Sequence, residues 1–426
     1  MTALERLIAE LKDVCAGLPD QRKGPRRDSE YTMADIGLSA FSVFFMGSPS
    51  FLGHQRALEA GHGRSNCQTL FGMTAIPTDA YIRLMLDGAP PGAFDPLFFK
   101  TIATEGVLDP FRCLGGRVLI PLDGTEHFCS RKIHCARCST RRRSDGGMEY
   151  FHAFLGASIV TPGHKKVLPL PPEFIAPQDG AEKQDCERNA AKRWLVRHGP
   201  AVAHLRPVFL GDDLFACQPI AEAVQKAGGN FIFTCKPTSH QTVTEYLHGA
   251  DLEEYRQTIV TRGKRTTTIF RWLSAVPIRA TQDALTINWF SIEIQNQKGK
   301  RTYYNSFVTD LPVTSATVAE LAACGRARWK IENETFNVLK TNGYNLEHNF
   351  GHGKETLASV LVTLNLLAFA FHAAAALAVL AWRNAVTARG ATYQFFEHLR
   401  TVTAYVVFER WDHLLRSIAA ATIRPP

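Results

Sequence analysis

The chain has 426 residues, 45% of them hydrophobic, with 48 Lys+Arg against 40 Asp+Glu and a net charge of +8. This excludes global disorder and provides core for about two to three domains. The basic balance favours a polyanionic partner, nucleic acid first and an anionic membrane surface second.

Residues 1–110 read as mostly helical, with an apolar stretch at 36–45, loops at GSPS (47–50) and GAPPGAF (88–94), and a polar basic linker at 20–29. The N-terminal MTALERLIAELKDVC is amphipathic and unlike a secretory leader. With ten scattered cysteines, this predicts a reducing, cytoplasmic setting with thiols free or metal-bound.

From Gly116 a short β run at 117–122 ends at Asp123-Gly124-Thr125, a second lies at 150–160 and a third at 166–170. A helix is predicted at 182–198, then a strand at 208–210 ending at Gly211-Asp212-Asp213. Residues 230–310 are β-rich, with runs at 231–235, 266–273, 285–294 and 302–308. Basic, Gly-containing turns at 262–265 and 298–301 place Arg265 and Arg301 at hairpin tips that suit a polyanion. Thr317 and Glu320 then read as a capping box opening a helix that stops at Gly343. The apolar run 366–382 reaches the lower edge of a membrane span, but its alanine content fits a buried core helix, and no membrane is expected as a partner.

Asp123 and Asp212 end apolar strands, and Glu332 lies in the helix after Thr317. Such carboxylates can converge, as two-metal phosphoryl chemistry requires. The segments LIPLDGTEHF (119–128), FLGDDLF (209–215) and RARWKIENETFNVLK (326–340) resemble the three acidic motifs of DDE transposases of bacterial insertion sequences, in the branch with a β-rich insertion between the second and third acids. The resemblance spans about 115–355. It implies an RNase H-like core, Asp123, Asp212 and Glu332 as catalytic ligands of two Mg²⁺ or Mn²⁺ ions, and Arg328 and Lys340 as phosphate contacts. This sequence departs from the pattern at Gly325, where the family has Tyr, and in seven rather than six residues between Glu332 and Lys340. Glu334 and Asp213 therefore stand as alternatives to Glu332 and Asp212. The polar loop 344–353, with Glu347, His348, Asn349 and His352, suits either a contact with a DNA end or the metal site, or a plain helix connection.

Cys129, Cys135 and Cys138 form a candidate zinc set, with His127 and His134 as fourth-ligand options. Arg131, Lys132, Arg137, Arg141, Arg142 and Arg143 make a basic patch beside the first acid, which Lys183, Arg188 and Lys192 extend. No Walker, GxGxxG, GxSxG or HExxH pattern occurs.

The expectation is an α/β chain: a helical DNA-binding region at 1–110, an RNase H-like mixed-sheet core at 111–228 and 317–380, a β-rich insertion at 229–316, and a helical region at 381–426. Its expected activity is metal-dependent cutting at the ends of a mobile element and joining of the 3′-OH to target DNA, by a homodimer on double-stranded DNA. The alternatives are a stand-alone metal-dependent nuclease and a non-catalytic DNA-binding derivative.

Overall fold

The computed structural model describes residues 1–22, 30–60, 62–177, 185–261 and 263–420, so most of the basic linker, Lys183 and Arg262 lie outside the described residues. Among these, eleven strands form one mixed sheet. In chain order they are β1 (Val118–Ser130), β2 (Ser139–Arg142), β3 (Met148–Ile159), β4 (Leu168–Pro169), β5 (Glu173–Ile175), β6 (Pro207–Gly211), β7 (Asn230–Thr234), β8 (Glu253–Thr261), β9 (Lys264–Pro277), β10 (Thr286–Gln295) and β11 (Arg301–Thr309). Across the sheet the order is β2-β3-β1-β6-β7-β11-β10-β9-β8, and β4 and β5 also pair with β3. β1 is antiparallel to β3 but parallel to β6, and β6 is parallel to β7. Helices Glu187–Val202 and Gln218–Lys226 carry the crossovers that parallel pairing demands.

The central strands are buried on both faces, and alternation divides their side chains between two cores. Val118, Ile120, Leu122, Phe209, Phe231 and Phe233 join the larger core with the terminal helices. Leu119, Val208, Leu210 and Ile232 join Phe290, Phe307, Val318 and Leu321 on the other face. The strands of the β-rich span extend this same sheet, because β11 pairs back onto β7. β8, which the sequence reading passed over, is exposed along its whole length and so carries no burial alternation.

The apolar run expected at 366–382 is divided: residues 366–378 end the helix Leu357–Ala378, whose most apolar window has a mean hydropathy of 2.0 and is 83% buried within the fold, and 380–382 open the next helix, Leu380–Arg389. Phe371 meets Phe41 at 5.3 Å, and the His372 ring lies tilted 4.4 Å from Phe45, on the fully buried helix Met33–Phe45. Two of its polar atoms are answered inside the core: Tyr344 Oη lies 2.7 Å from His372 Nδ1, and Asn365 Nδ2 donates to Tyr344 O at 2.8 Å. N- and C-terminal regions thus share one helical layer.

Two local expectations are corrected. Asp123-Gly124-Thr125 is not a turn; β1 continues through it, paired in register with Gly156, Leu155 and Phe154 of β3, so tertiary pairing overrides turn propensity. The capping box is absent as well. Thr317 Oγ1 accepts from Thr314 N at 3.0 Å, and Glu320 Oε1 accepts from Leu114 N at 2.7 Å, so both side chains serve the preceding loops. The helical path after Thr317 also changes character, from α (Val318–Arg326) through a 3₁₀ turn (Ala327–Trp329) and a π segment (Ile331–Phe336) to α again (Asn337–Thr341).

Candidate active site

β1 and β6 are paired through Pro121 and Leu210; Asp123 lies two residues further within β1, and Asp212 two residues further on, just past the end of β6. The parallel register therefore brings both acids to the same edge. Glu332 arrives on the π segment, which crosses β1 and β3 beside Asp123. Its close approach depends on Gly156, opposite Asp123 in β3: a Cβ there would lie 2.7 Å from the Phe336 ring. Ser158 and Thr335 hydroxyls, 3.2 Å apart, pin the same contact.

Arg328 bridges the acids. Its Nη1 lies 2.8 Å from Glu332 Oε1 and 3.8 Å from Asp123 Oδ2. Burial pushes the Asp123 carboxyl up to about 7; Arg328 pulls it down, while Glu332, Glu187 and Asp212 push it higher. Glu187, in the first turn of its helix, completes the group: its carboxylate fills the space a Cβ on Gly124 would need. Burial, then Asp212, raises the Glu187 carboxyl too. Sequence reasoning missed Glu187, since an acid in a first helical turn is sufficiently explained by the helix dipole. A cleft of about 490 Å³ opens here, lined by Gly124, Thr125, Glu126, Glu187, Arg188 and Leu214.

The alternatives separate by geometry. Asp213 accepts from Lys236 N at 2.6 Å and meets His240 Nε2 at 3.0 Å, clamping the chain after β7, whereas Asp212 Oδ1 only caps Leu214 N at 2.9 Å. Glu334 lines a different cavity with Lys165, Val338 and Phe369. Gly325 is enforced by packing, because a Cβ would lie 2.8 Å from the Phe307 ring; an aromatic residue has no room there. Lys340 pairs with Glu347 at 2.9 Å.

The basic residues are not equivalent. Arg141 is held by Glu126 at 2.5 Å and Glu149 at 2.6 Å, and Arg143 by Glu149 at 2.7 Å. Among the described residues exposed Arg142 has no carboxylate partner, and exposed Arg265 and Arg301 flank the two hairpin turns, Arg301 lying over Tyr304 at 5.4 Å.

The zinc candidates are rearranged. Among the described residues, the one group of three or more His, Cys, Asp or Glu with ligand atoms all within 4.8 Å of one another is Cys135, Cys138, His152 and His352. Cys129 is excluded, because β1 carries it to an exposed position beside Arg141 Nη2, at 3.6 Å. His134 instead stacks on Tyr150 at 4.4 Å, and His127 lies 5.8 Å from the His152 ring, outside the group. No spacing rule links the Cys-x2-Cys pair to His152 or His352; His352 lies in the polar loop already singled out.

No known family matches the sequence, and no curated protein is similar to it. A cryo-EM structure of the piggyBac transposase synaptic complex with hairpin DNA superposes over 99% of this chain and 80% of that one, at 10% identity and a TM-score of 0.42. A score of that size carries no argument about function.

Proposed function

We propose that this chain is a DDE-type transposase of the insertion-sequence class, with an RNase H-like core and catalytic acids Asp123, Asp212 and Glu332. The observation that carries the reading is the convergence of Arg328, Glu332, Glu187 and Asp212 on Asp123 at the edge of two parallel strands. An antiparallel β1-β3-β5 unit followed by parallel β6 and β7 supports the core assignment.

The donor set fits hard divalent cations: all oxygens, with burial first and the neighbouring acids after it raising the Asp123 carboxyl to about 7. Asp123, Asp212 and Glu332 would hold two Mg²⁺ or Mn²⁺ ions, which when bound supply Lewis-acid activation of the nucleophile and stabilise the leaving oxygen. Arg328, whose guanidinium neutralises Asp123 and Glu332 here, is positioned to turn toward a phosphate. Lys340, Arg142, Arg265 and Arg301 serve the DNA backbone. Water attacks phosphorus at the element end, the P–O3′ bond breaks and O3′ gains a proton. The freed 3′-OH then attacks a target phosphodiester and displaces its 3′ oxygen, with no enzyme-bound covalent intermediate.

A homodimer on DNA and a cytoplasmic setting belong to the same proposal; all ten cysteines are free. End-labelled DNA carrying the flanks of the chain's own gene, incubated with Mg²⁺ or EDTA, tests it. Metal-dependent release of a 3′-OH at a defined boundary, followed by joined products and lost in Asp123→Asn, is expected. Cutting without joining indicates a nuclease, and binding without cutting indicates a non-catalytic DNA-binding protein.

A further inference from the structure

We propose that Cys135, Cys138, His152 and His352 form a structural zinc site that fastens the β1–β3 ribbon to the loop following the Glu332 helical path. The site does not depend on the transposase reading.

Its geometry is that of a tetrahedral centre. Bonds of about 2.3 Å to sulfur and 2.0–2.1 Å to nitrogen require separations of about 3.8 Å for S···S, 3.5–3.6 Å for S···N and 3.3–3.4 Å for N···N. The corresponding distances are 3.9 Å between Cys135 and Cys138 Sγ, 3.6 and 3.4 Å from these sulfurs to His152 Nε2, 3.4 Å from Cys138 Sγ to His352 Nε2, and 3.1 Å between the two Nε2 atoms. The remaining pair, Cys135 and His352, is within 4.8 Å. Hydrogen bonding alone gives poor reason for this cluster, since thiols are weak partners and two facing imidazole nitrogens can share only one proton.

The neighbours orient the ligands. His352 Nδ1 lies 2.9 Å from Gly353 O, which can only accept, so Nδ1 carries the proton and the Nε2 lone pair faces the cluster. Two sulfur and two nitrogen donors select zinc over the hard cations suited to the carboxylate site. With four protein ligands and no open position, the centre is structural. It joins residues 200 positions apart, His152 and His352, across the two parts of the core. The loop it anchors also supplies Glu347 to Lys340.

The test is metal analysis of the full chain expressed with zinc. One zinc per chain is expected in the wild type and in Cys129→Ser, with loss in Cys138→Ser and in His352→Ala. Cobalt(II) exchange should give the visible spectrum of a tetrahedral thiolate site. Should the ligand variants fail to fold, titrating wild-type thiols with a mercurial should release one zinc per chain. A wild type without zinc, a Cys135–Cys138 disulfide in its place, or full zinc content retained in Cys138→Ser and His352→Ala would overturn the proposal.

Discussion

Replacing Asp123 by Asn should stabilise the metal-free protein while abolishing cleavage. The carboxyl is pushed from 3.8 to about 7, chiefly by burial, and its side chain is only 16% exposed. That rise of about 3 pH units, at 1.36 kcal/mol each, amounts to about 4 kcal/mol by which ionising Asp123 disfavours the folded state. The sign follows from the raised value. Below the unfolded pKa both states hold the proton and the wild type suffers nothing; as pH rises toward 7 the unfolded chain releases it first, and stability is lost until the folded group ionises too. Asn has the same shape without the charge. Denaturant unfolding in EDTA should therefore give similar stabilities at pH 4, divergence between pH 4 and 7 in favour of Asp123→Asn, and a constant gap above. Partial relaxation around the acid makes 4 kcal/mol an upper figure. Parallel profiles, or a variant less stable at pH 8, would refute the claim that crowded burial governs this carboxyl.

Asp213→Ala should cost about 1–3 kcal/mol, because Lys236 N–H and His240 lose their acceptor, yet leave cleavage per folded molecule intact; Asp212→Asn should do the reverse, as denaturation and nicking assays would show. Glu187→Gln should raise the Mg²⁺ concentration for half-maximal cleavage by about 10-fold or more, and an unchanged titration would remove Glu187 from the site. Gly156→Ala should destabilise by about 1–3 kcal/mol through its clash with Phe336, measured by urea unfolding. Arg142→Ala, Arg265→Ala or Arg301→Ala should each lower the salt slope of DNA binding by about 0.9, whereas Arg141→Ala should chiefly loosen the Glu126–Glu149 bridge.

Much of this architecture is legible along the chain. The runs at 150–160 and 231–235 become β3 and β7 because each is largely apolar and buried, and 302–308 becomes β11 through its aromatic residues and its buried second half. Asp212 closes its strand as expected, but Asp123 does not, since a ladder partner 33 residues later in sequence, Gly156, decides whether Asp-Gly turns or extends. β8 has no buried face, so periodicity has nothing to report. Within the candidate site, Asp123, Asp212 and Glu332 stand out by their strand-end and helical positions, whereas Glu187 does not, its approach being set by the missing side chain of Gly124. Cys135 and Cys138 announced themselves by spacing. His152 and His352 could not, because only the folded chain brings a strand and a distant loop within 3.1 Å.

The π segment at Ile331–Phe336 bears on how this chain tolerates changes in length. An extra residue in an ordinary α-helix rotates everything after it by about 100°, which would turn downstream side chains away from their neighbours. Widening one turn to i→i+5 bonding absorbs the residue and returns the helix to phase. The seven residues between Glu332 and Lys340, one more than in the motif they resemble, run from the last four residues of this segment into the following α-helix. Lys340 therefore keeps the bearing that six residues of regular helix would give it, and removing one residue between Glu332 and Phe336 should straighten the helix rather than break it.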